Sequence, residues 1–371
     1  MGRAALHYYE FFAGGGMARA GLGEGWNCLF ANDFDPVKAR VYRENYGGGD
    51  LREGDVWALT AADLPGRADL VWASSPCQDF SLAGGRAGLG GGRSSALLGF
   101  WRLMEELAAE GRAPRTVVIE NVTGLLTARG GADFAALAER LAAAAYRFGA
   151  LEIDAALFVP QSRPRVFMVA TIEPPGRTSI APAPAVPFHS AAIQRAHAAL
   201  SPALRQRWVW WSLPAPPLRN TSLEQVLEPG ASWDEGPATE RLVSLMAPAH
   251  RARLGAVSRV GAVYRRIRVE NGRKVQRAEA RFDGLAGCLR TPGGGSSRQF
   301  VVQAGPGGAR SRLLTPREGA RLMGLPDDYR LPPGSTAAWK VVGDGVAAPV
   351  VRWLAEHLLE PLCERREAVA A

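Results

Sequence analysis

Cys77 is the side chain in this sequence best placed to act as a nucleophile. It follows the apolar run Asp69-Leu70-Val71-Trp72-Ala73, where a buried parallel strand should end. That sets a thiol at the carboxyl edge of an open α/β sheet, the edge where such folds bind ligands. A second chemical group ends the next apolar run, since Glu120-Asn121-Val122 comes directly after Thr116 to Ile119. A carboxyl there does little for a thiolate but is well placed to hand a proton to a ring nitrogen. The pair points to an electron-poor heterocycle rather than a carbonyl substrate. In Gln161-Ser162-Arg163-Pro164-Arg165 the two arginines alternate on an extended segment and face the same way. They can hold a carbonyl oxygen, a phosphate or the Glu120 carboxylate, and a solvated basic loop is the plainer reading. Taken alone, Cys77 also fits a redox centre, a protease-like nucleophile or a buried hydrophobe.

The turn Glu10-Phe11-Phe12-Ala13-Gly14-Gly15-Gly16-Met17 lies between an expected strand and a helix-like stretch ending near Leu22. Glycines there let backbone amides approach a cofactor and accept positive φ. A dinucleotide fingerprint would require a third glycine at position 19, which is Arg19, so a nicotinamide reading weakens. Asn32-Asp33-Phe34-Asp35 ends the next strand. A carboxylate at Asp33 can take two ribose hydroxyls and Phe34 can stack on adenine, although an ordinary capping role before a helix at Pro36 competes. Asp55 could serve an adenine amino group in the same way.

These groups need a frame. Apolar runs at Tyr8 to Phe12, Cys28 to Ala31, Leu70 to Ala73, Thr116 to Ile119, Ala150 to Ile153 and Val166 to Thr171 alternate with helix-like stretches, including 99–111 and 132–145. This is the rhythm of a βαβ sheet. The expected fold is α/β, a Rossmann-like domain with a mainly parallel twisted sheet over residues 1–172. After Thr171 the sequence turns Pro-rich and irregular, which predicts a smaller α+β domain over 173–337. Residues 338–371, with an amphipathic segment from Ala347 to Leu359, are expected to return to the first domain.

Composition fits this outline. The 371 residues are 47% hydrophobic and 22% charged, and the formal net charge is +8. That charge suggests a polyanionic partner, with an arginine-favouring genome as the plain alternative. Four cysteines without short paired spacing argue against a disulfide framework or a zinc cluster and fit a reducing cytosol. The first residues carry no signal-peptide pattern, and no apolar run approaches membrane-spanning length.

The ordered set Phe12-Ala13-Gly14-Gly15-Gly16, Asn32-Asp33, Pro76-Cys77-Gln78-Asp79-Phe80-Ser81, Glu120-Asn121-Val122 and Gln161-Ser162-Arg163-Pro164-Arg165 resembles the DNA cytosine-5 methyltransferase family. Leu314 to Pro326 and Gly343-Asp344-Gly345-Val346 are similar to the family's late motifs. The resemblance implies that Cys77 attacks carbon 6 of a flipped-out cytosine while Glu120 serves ring nitrogen 3, and that carbon 5 takes the methyl group of S-adenosylmethionine, leaving S-adenosylhomocysteine. It gives Arg165 to the cytosine carbonyl, and Arg163 to the Glu120 side or to the backbone. Cofactor contacts are implied for Phe12, Ala13, Gly14, Gly16, Asp33, Phe34, Asp55, Val56, Pro76, Asp344 and Val346. Substrate contacts are implied for Gln78, Ser81, Arg86, Arg93 and Asn121, with Asn121 orienting the loop that carries Cys77. The glycine-rich segment 81–95 reads as a mobile lid that closes over the flipped base.

Within the recognition region, Arg290, Ser297, Arg298 and Gln299 are the expected base contacts, since Arg and Gln read guanine and adenine edges. Arg265-Arg266-Ile267-Arg268 is basic on an expected strand, and Trp208, Trp210 and Trp211 are expected in the core. Two departures stand out: Gly343-Asp344 where relatives have Gly-Asn, and Cys288-Leu289 where they have Thr-Leu. The resemblance further implies double-stranded DNA as partner, no metal, a monomer, and a cytoplasmic, nucleoid-associated setting in a bacterium or phage, as in restriction-modification. A tRNA cytosine methyltransferase and a catalytically silent DNA-binding relative are the competing readings.

Overall fold

Seven strands form the sheet on which the chemistry sits: β1 (Leu6–Phe11), β2 (Trp26–Asp33), β3 (Leu51–Glu53), β4 (Leu70–Ser74), β5 (Thr116–Val122), β6 (Arg147–Asp154) and β7 (Pro164–Thr171). Their order is β3-β2-β1-β4-β5-β7-β6, with β1 to β5 parallel and β7 antiparallel to β5. The computed structural model describes residues 5–75, 96–256, 259–291, 298–305 and 308–364. These fold as two compact units, one of Met1–Ile153, Pro164–Ala215 and Val350–Ala371, the other of Asp154–Arg163 and Pro216–Pro349.

Apolar runs become central strands because both faces of a parallel sheet are covered. Val71, Trp72 and Ala73 of β4 and Val117, Val118 and Ile119 of β5 are buried. Helix Ala96–Ala109 buries Leu97, Phe100, Trp101, Leu103, Met104 and Leu107 on one stripe, and helix Ala132–Ala143 buries Phe134, Leu137, Ala138 and Leu141. Each large side chain removed from water contributes about 1.5–3 kcal/mol. The rings of Phe11 and Phe100 meet at 5.1 Å, tying sheet to helix.

Strand register aligns the reactive ends. Phe11 pairs with Ala73, and Ser74 with Glu120, so whatever follows β1, β4 and β5 emerges at one edge. Strand β1 has β2 on one side and β4 on the other, and the chain leaves it in opposite directions. That reversal opens the crevice where α/β sheets take ligands.

The units divide the chain differently from the composition shifts. Residues 173–215 belong with the first unit: Trp211 is buried and donates to the Val169 carbonyl at 3.2 Å, while Val209 N–H donates to the Phe148 carbonyl at 2.7 Å. The tryptophans are core, and the prolines mark a covering segment rather than a boundary. The return to the first unit begins at Val350, because Gly343 packs its bare Cα against the backbone of Arg290 and Thr291 in the second unit. The returning segment runs as helix Ala348–Leu354, a π turn over Ala355–Leu359 and a last helical turn, Glu360–Cys363. Arg352 donates to the Leu22 carbonyl at 2.9 Å, and Arg115 to that of Cys363 at 2.6 Å.

In the second unit an antiparallel sheet has the order β11-β10-β8-β9, with β8 Gly261–Glu270, β9 Arg273–Arg281, β10 Gln299–Gly305 and β11 Gly308–Leu313. Its core holds Leu242, Met246, Leu254, Val263, Ala278, Ala280 and Val302. The expected basic strand at 265–268 is part of β8.

Candidate active site

The glycine turn after β1 is shaped by three left-handed residues, Phe12 (φ 58°), Gly14 (φ 58°) and Gly16 (φ 79°). A Cβ on Gly14 would meet nothing within 4 Å, so the turn presents bare backbone to open space. A Cβ on Gly16 would lie 2.4 Å from the Tyr46 ring, so here glycine is required by packing as well as by φ.

Asp33 locks this turn to β2. One carboxylate oxygen accepts the Gly14 N–H at 2.7 Å and the other the Asp35 N–H at 2.8 Å. A carboxylate has about four acceptor positions, so two remain for hydroxyl donors. Burial raises the Asp33 carboxyl above its ordinary range, and Lys38 and the two amides oppose the shift. The competing capping role falls to Asp35, which accepts Val37 N–H at 3.0 Å and Lys38 N–H at 3.4 Å. Phe34, between them, is 68% exposed, an aromatic left open beside the turn. Asp55 caps the short turn Val56–Ala58 by accepting Trp57 N–H at 3.0 Å, and Val56 is buried behind it. Open glycine backbone, an acid with free acceptor positions and an exposed ring fit a nucleoside cofactor with a charged tail.

Sequence reasoning missed the layer beneath. Arg19 lies over the rings of Tyr46 (4.8 Å) and Tyr42 (5.5 Å), donates to the Tyr42 hydroxyl at 2.7 Å and pairs with Asp50. Glu10 is buried in the same cluster, and loss of solvent lifts its carboxyl to about 8. The one available signal was Arg19 itself, a long cation where a dinucleotide turn would carry glycine.

At the end of β5, Glu120 is 5% exposed and its Oε1 lies 3.1 Å from Nε of Arg165 on β7. Next to it, Asn121 donates to the Ser75 carbonyl at 2.9 Å and the Ser75 hydroxyl at 3.0 Å, fixing the last described residue after β4. Cys77, Pro76, Gln78, Ser81, Arg86 and Arg93 lie outside the described residues, with the whole segment expected to act as a lid, and so does Ser297.

The expectations for the second unit are met unevenly. Of the two roles open to Arg163, the backbone is the one seen: it is 2% exposed and donates to the carbonyls of Leu289 (2.8 Å), Gly343 (2.9 Å) and Gly345 (2.6 Å). Gln161 does similar work, accepting Leu289 N–H at 3.0 Å and donating to the Leu322 carbonyl at 2.8 Å. Gln299 is not a free base reader. It is buried, and its amide spans Gly287, accepting the N–H at 2.9 Å and donating to the carbonyl at 2.8 Å. As the first residue of β10, it turns inward where a loop residue would face solvent. Arg290 is exposed, and Arg298 donates to the Thr336 hydroxyl at 3.2 Å. Asp344 accepts the Thr291 hydroxyl, and Val346 is buried.

Among the described residues no His, Cys, Asp and Glu cluster could hold a metal, and no helix is long and apolar enough to cross a membrane. Solved structures with the same fold include the S. pombe Dnmt2 methyltransferase (TM-score 0.61, 18% identity, 96% of this chain and 99% of that one). Another is a putative DNA modification methyltransferase encoded within a prophage of E. coli (TM-score 0.56, 17% identity, 97% and 100%). Fold and site together define a cytosine C-5 methyltransferase. The chain belongs to the C-5 cytosine-specific DNA methylase family, whose profile matches residues 6–360. It is 25% identical over 366 residues to the type II methyltransferase M.HhaI of Haemophilus parahaemolyticus, covering 95% of this chain and 94% of that protein. With M.SsoII of Shigella sonnei it shares 26% identity over 364 residues, 95% of this chain and 80% of that protein.

Proposed function

We propose that Cys77 and Glu120 act together on a cytosine flipped out of duplex DNA, and that Asp33, Phe34 and the glycine turn hold S-adenosylmethionine. The observation that carries the reading is the Glu120–Arg165 pair at the end of β5, in register with Ser74, three residues before Cys77. The Cys77 sulfur bonds carbon 6 of the ring, and Glu120 hands a proton to, or shares one with, nitrogen 3, so that carbon 5 becomes nucleophilic. Bound S-adenosylmethionine supplies the methyl group to that carbon. The carbon 5 proton then leaves to solvent, the carbon–sulfur bond breaks, and Cys77 returns as thiolate. Arg165 holds Glu120 at the edge and offers its remaining N–H groups to the cytosine carbonyl. Asn121 steadies the start of the Cys77 segment through Ser75. Asp55, Val56, Asp344 and Val346 are assigned to the cofactor, and Arg290 and Arg298 to DNA.

The names of the relatives support a restriction-modification setting in a bacterial cytoplasm. Every group in the scheme comes from one chain, which supports action as a monomer.

Labelled S-adenosylmethionine incubated with duplex DNA or with tRNA, followed by bisulfite mapping, tests the substrate. Label on carbon 5 of DNA cytosine is expected, and label in tRNA alone overturns the reading. Cys77→Ala should abolish transfer and the covalent complex with DNA containing 5-fluorocytosine. A retained adduct would remove Cys77 from the mechanism.

A further inference from the structure

Strands β8 and β9 are longer than the sheet they belong to. Only Gly261–Tyr264 of β8 pairs with β10, whereas pairing with β9 continues from Ala262 to Glu270. From Arg265 onward the two strands run on as a free ribbon, closed by Asn271 (φ 50°) and Gly272 (φ 76°), the two left-handed residues of a tight hairpin turn. All residues from 266 to 274 are exposed. At about 3.3 Å per residue the free part reaches about 20 Å.

Its charge is concentrated. Residues 265–277 hold six cations against one carboxylate, Glu270, in a chain whose total is +8. The pairs opposite each other in the ladder include Arg266 with Arg277 and Glu270 with Arg273. Like-charged residues held face to face destabilise a hairpin on its own. Glu279 offsets Arg266 and Arg268, and Glu270 offsets Arg277. Among the described residues no carboxylate pairs with Arg273 or Lys274. On the other face Ile267 is 60% and Val269 71% exposed, beside Lys274 and Gln276 in the ladder.

We propose that the β8–β9 ribbon is a docking arm for duplex DNA, seated in the major groove with its cations on the flanking phosphates. A groove about 12 Å wide admits a two-stranded ribbon, and aliphatic side chains between cations suit thymine methyl groups and sugar edges. Charge complementarity selects DNA over a protein partner, since a protein-docking face depletes rather than concentrates lysine and arginine pairs. The inference rests on duplex DNA being the substrate. The arm's cations supply affinity that does not depend on sequence.

The test is equilibrium binding of the full chain to random-sequence duplex DNA across a salt series. Arg273→Gln with Lys274→Gln should lower the slope of log Kd against log salt by about 1–2, and Lys274→Gln alone by about 1. Ile267→Asn with Val269→Asn should weaken binding with the slope unchanged. An unchanged slope in both cation variants, with unaltered melting, overturns the arm. So does loss of self-association in sedimentation as the sole effect of the aliphatic variant, which would make the face a protein contact. Methyl transfer by the unaltered chain to unmethylated genomic DNA is scored separately, so failure of the reaction and failure of the arm give different results.

Discussion

Arg165 Nε stands 3.1 Å from Glu120 Oε1 across the antiparallel strands β7 and β5, with Arg165 opposite Val122 in the ladder and one step off the diagonal from Glu120. Both side chains are nearly sealed from solvent. A pair of this kind is costly to break from one side, because the survivor is a buried charge without its partner. Arg165→Ala should therefore cost about 3 kcal/mol in denaturant unfolding as well as methyl transfer. Glu120→Gln keeps shape and volume but removes the acid, and should lower kcat about 10²–10⁴-fold with a much smaller stability loss. Equal stability losses in the two variants would contradict this account.

The glycine turn gives a paired comparison. Gly14→Ala has room for its methyl and bears only the left-handed backbone penalty, about 1–2 kcal/mol. Gly16→Ala bears the same penalty and also drives a methyl into the Tyr46 ring. Thermal melting should rank Gly16→Ala well below Gly14→Ala, and titration with S-adenosylmethionine should show weaker binding for both.

Glu10 sets a pH dependence. Its folded carboxyl titrates near 8 through burial, with Asp50 and Asp33 adding to the rise and Arg19 opposing it, while the unfolded chain titrates near 4.3. Between those values the folded state keeps a proton that the unfolded state has released. Stability from this group therefore falls as pH rises, by up to about 1.4 kcal/mol per pH unit, and levels off above 8. Denaturant midpoints of the unaltered chain relative to Glu10→Gln should decline across that window and stay flat above it. Parallel profiles would mean that Glu10 is ionised in the fold.

Gln299 and Arg163 should behave as supports for the second unit. Gln299→Leu leaves the N–H and carbonyl of Gly287 unmatched in a buried place, costing about 1–3 kcal/mol. Arg163→Lys cannot reach three carbonyls with one ammonium and should lower the melting temperature as well. Bisulfite mapping on the folded fraction should give the same target sequence for Gln299→Leu as for the unaltered chain. A changed target would return Gln299 to the bases.

Local sequence carried the strands and the loop chemistry because both depend on short-range pattern. The runs at 70–73 and 116–119 became β4 and β5, and the acid, thiol and arginine motifs fall where those strands end. What the sequence hid was long-range. The antiparallel course of β7 leaves no mark on a fully buried apolar run. Glu10, Arg19, Tyr42 and Asp50 are spread over forty residues, and each reads alone as an ordinary polar position on a strand, helix or turn. Gln299 sits in a polar, arginine- and serine-bearing stretch, and only the register of β10 turns it inward. The domain boundary failed for a related reason, since prolines at 174–217 record irregular backbone and say nothing about which core that backbone covers.

The closing segment of the first unit has a consequence for synthesis. Val351, Leu354, Leu358 and Leu359 are buried, and Cys363 Sγ lies 3.5 Å from Thr116 Oγ1 on β5. A ribosome delivers Thr116 long before Cys363, and the whole second unit is made in between. The core that carries Glu120 and Asp33 must wait, partly uncovered, until the last turns emerge, whereas Pro216–Pro349 is already complete. Nascent chains halted before Val350 should expose that core to protease, and its protection should appear only once residue 363 has cleared the exit tunnel.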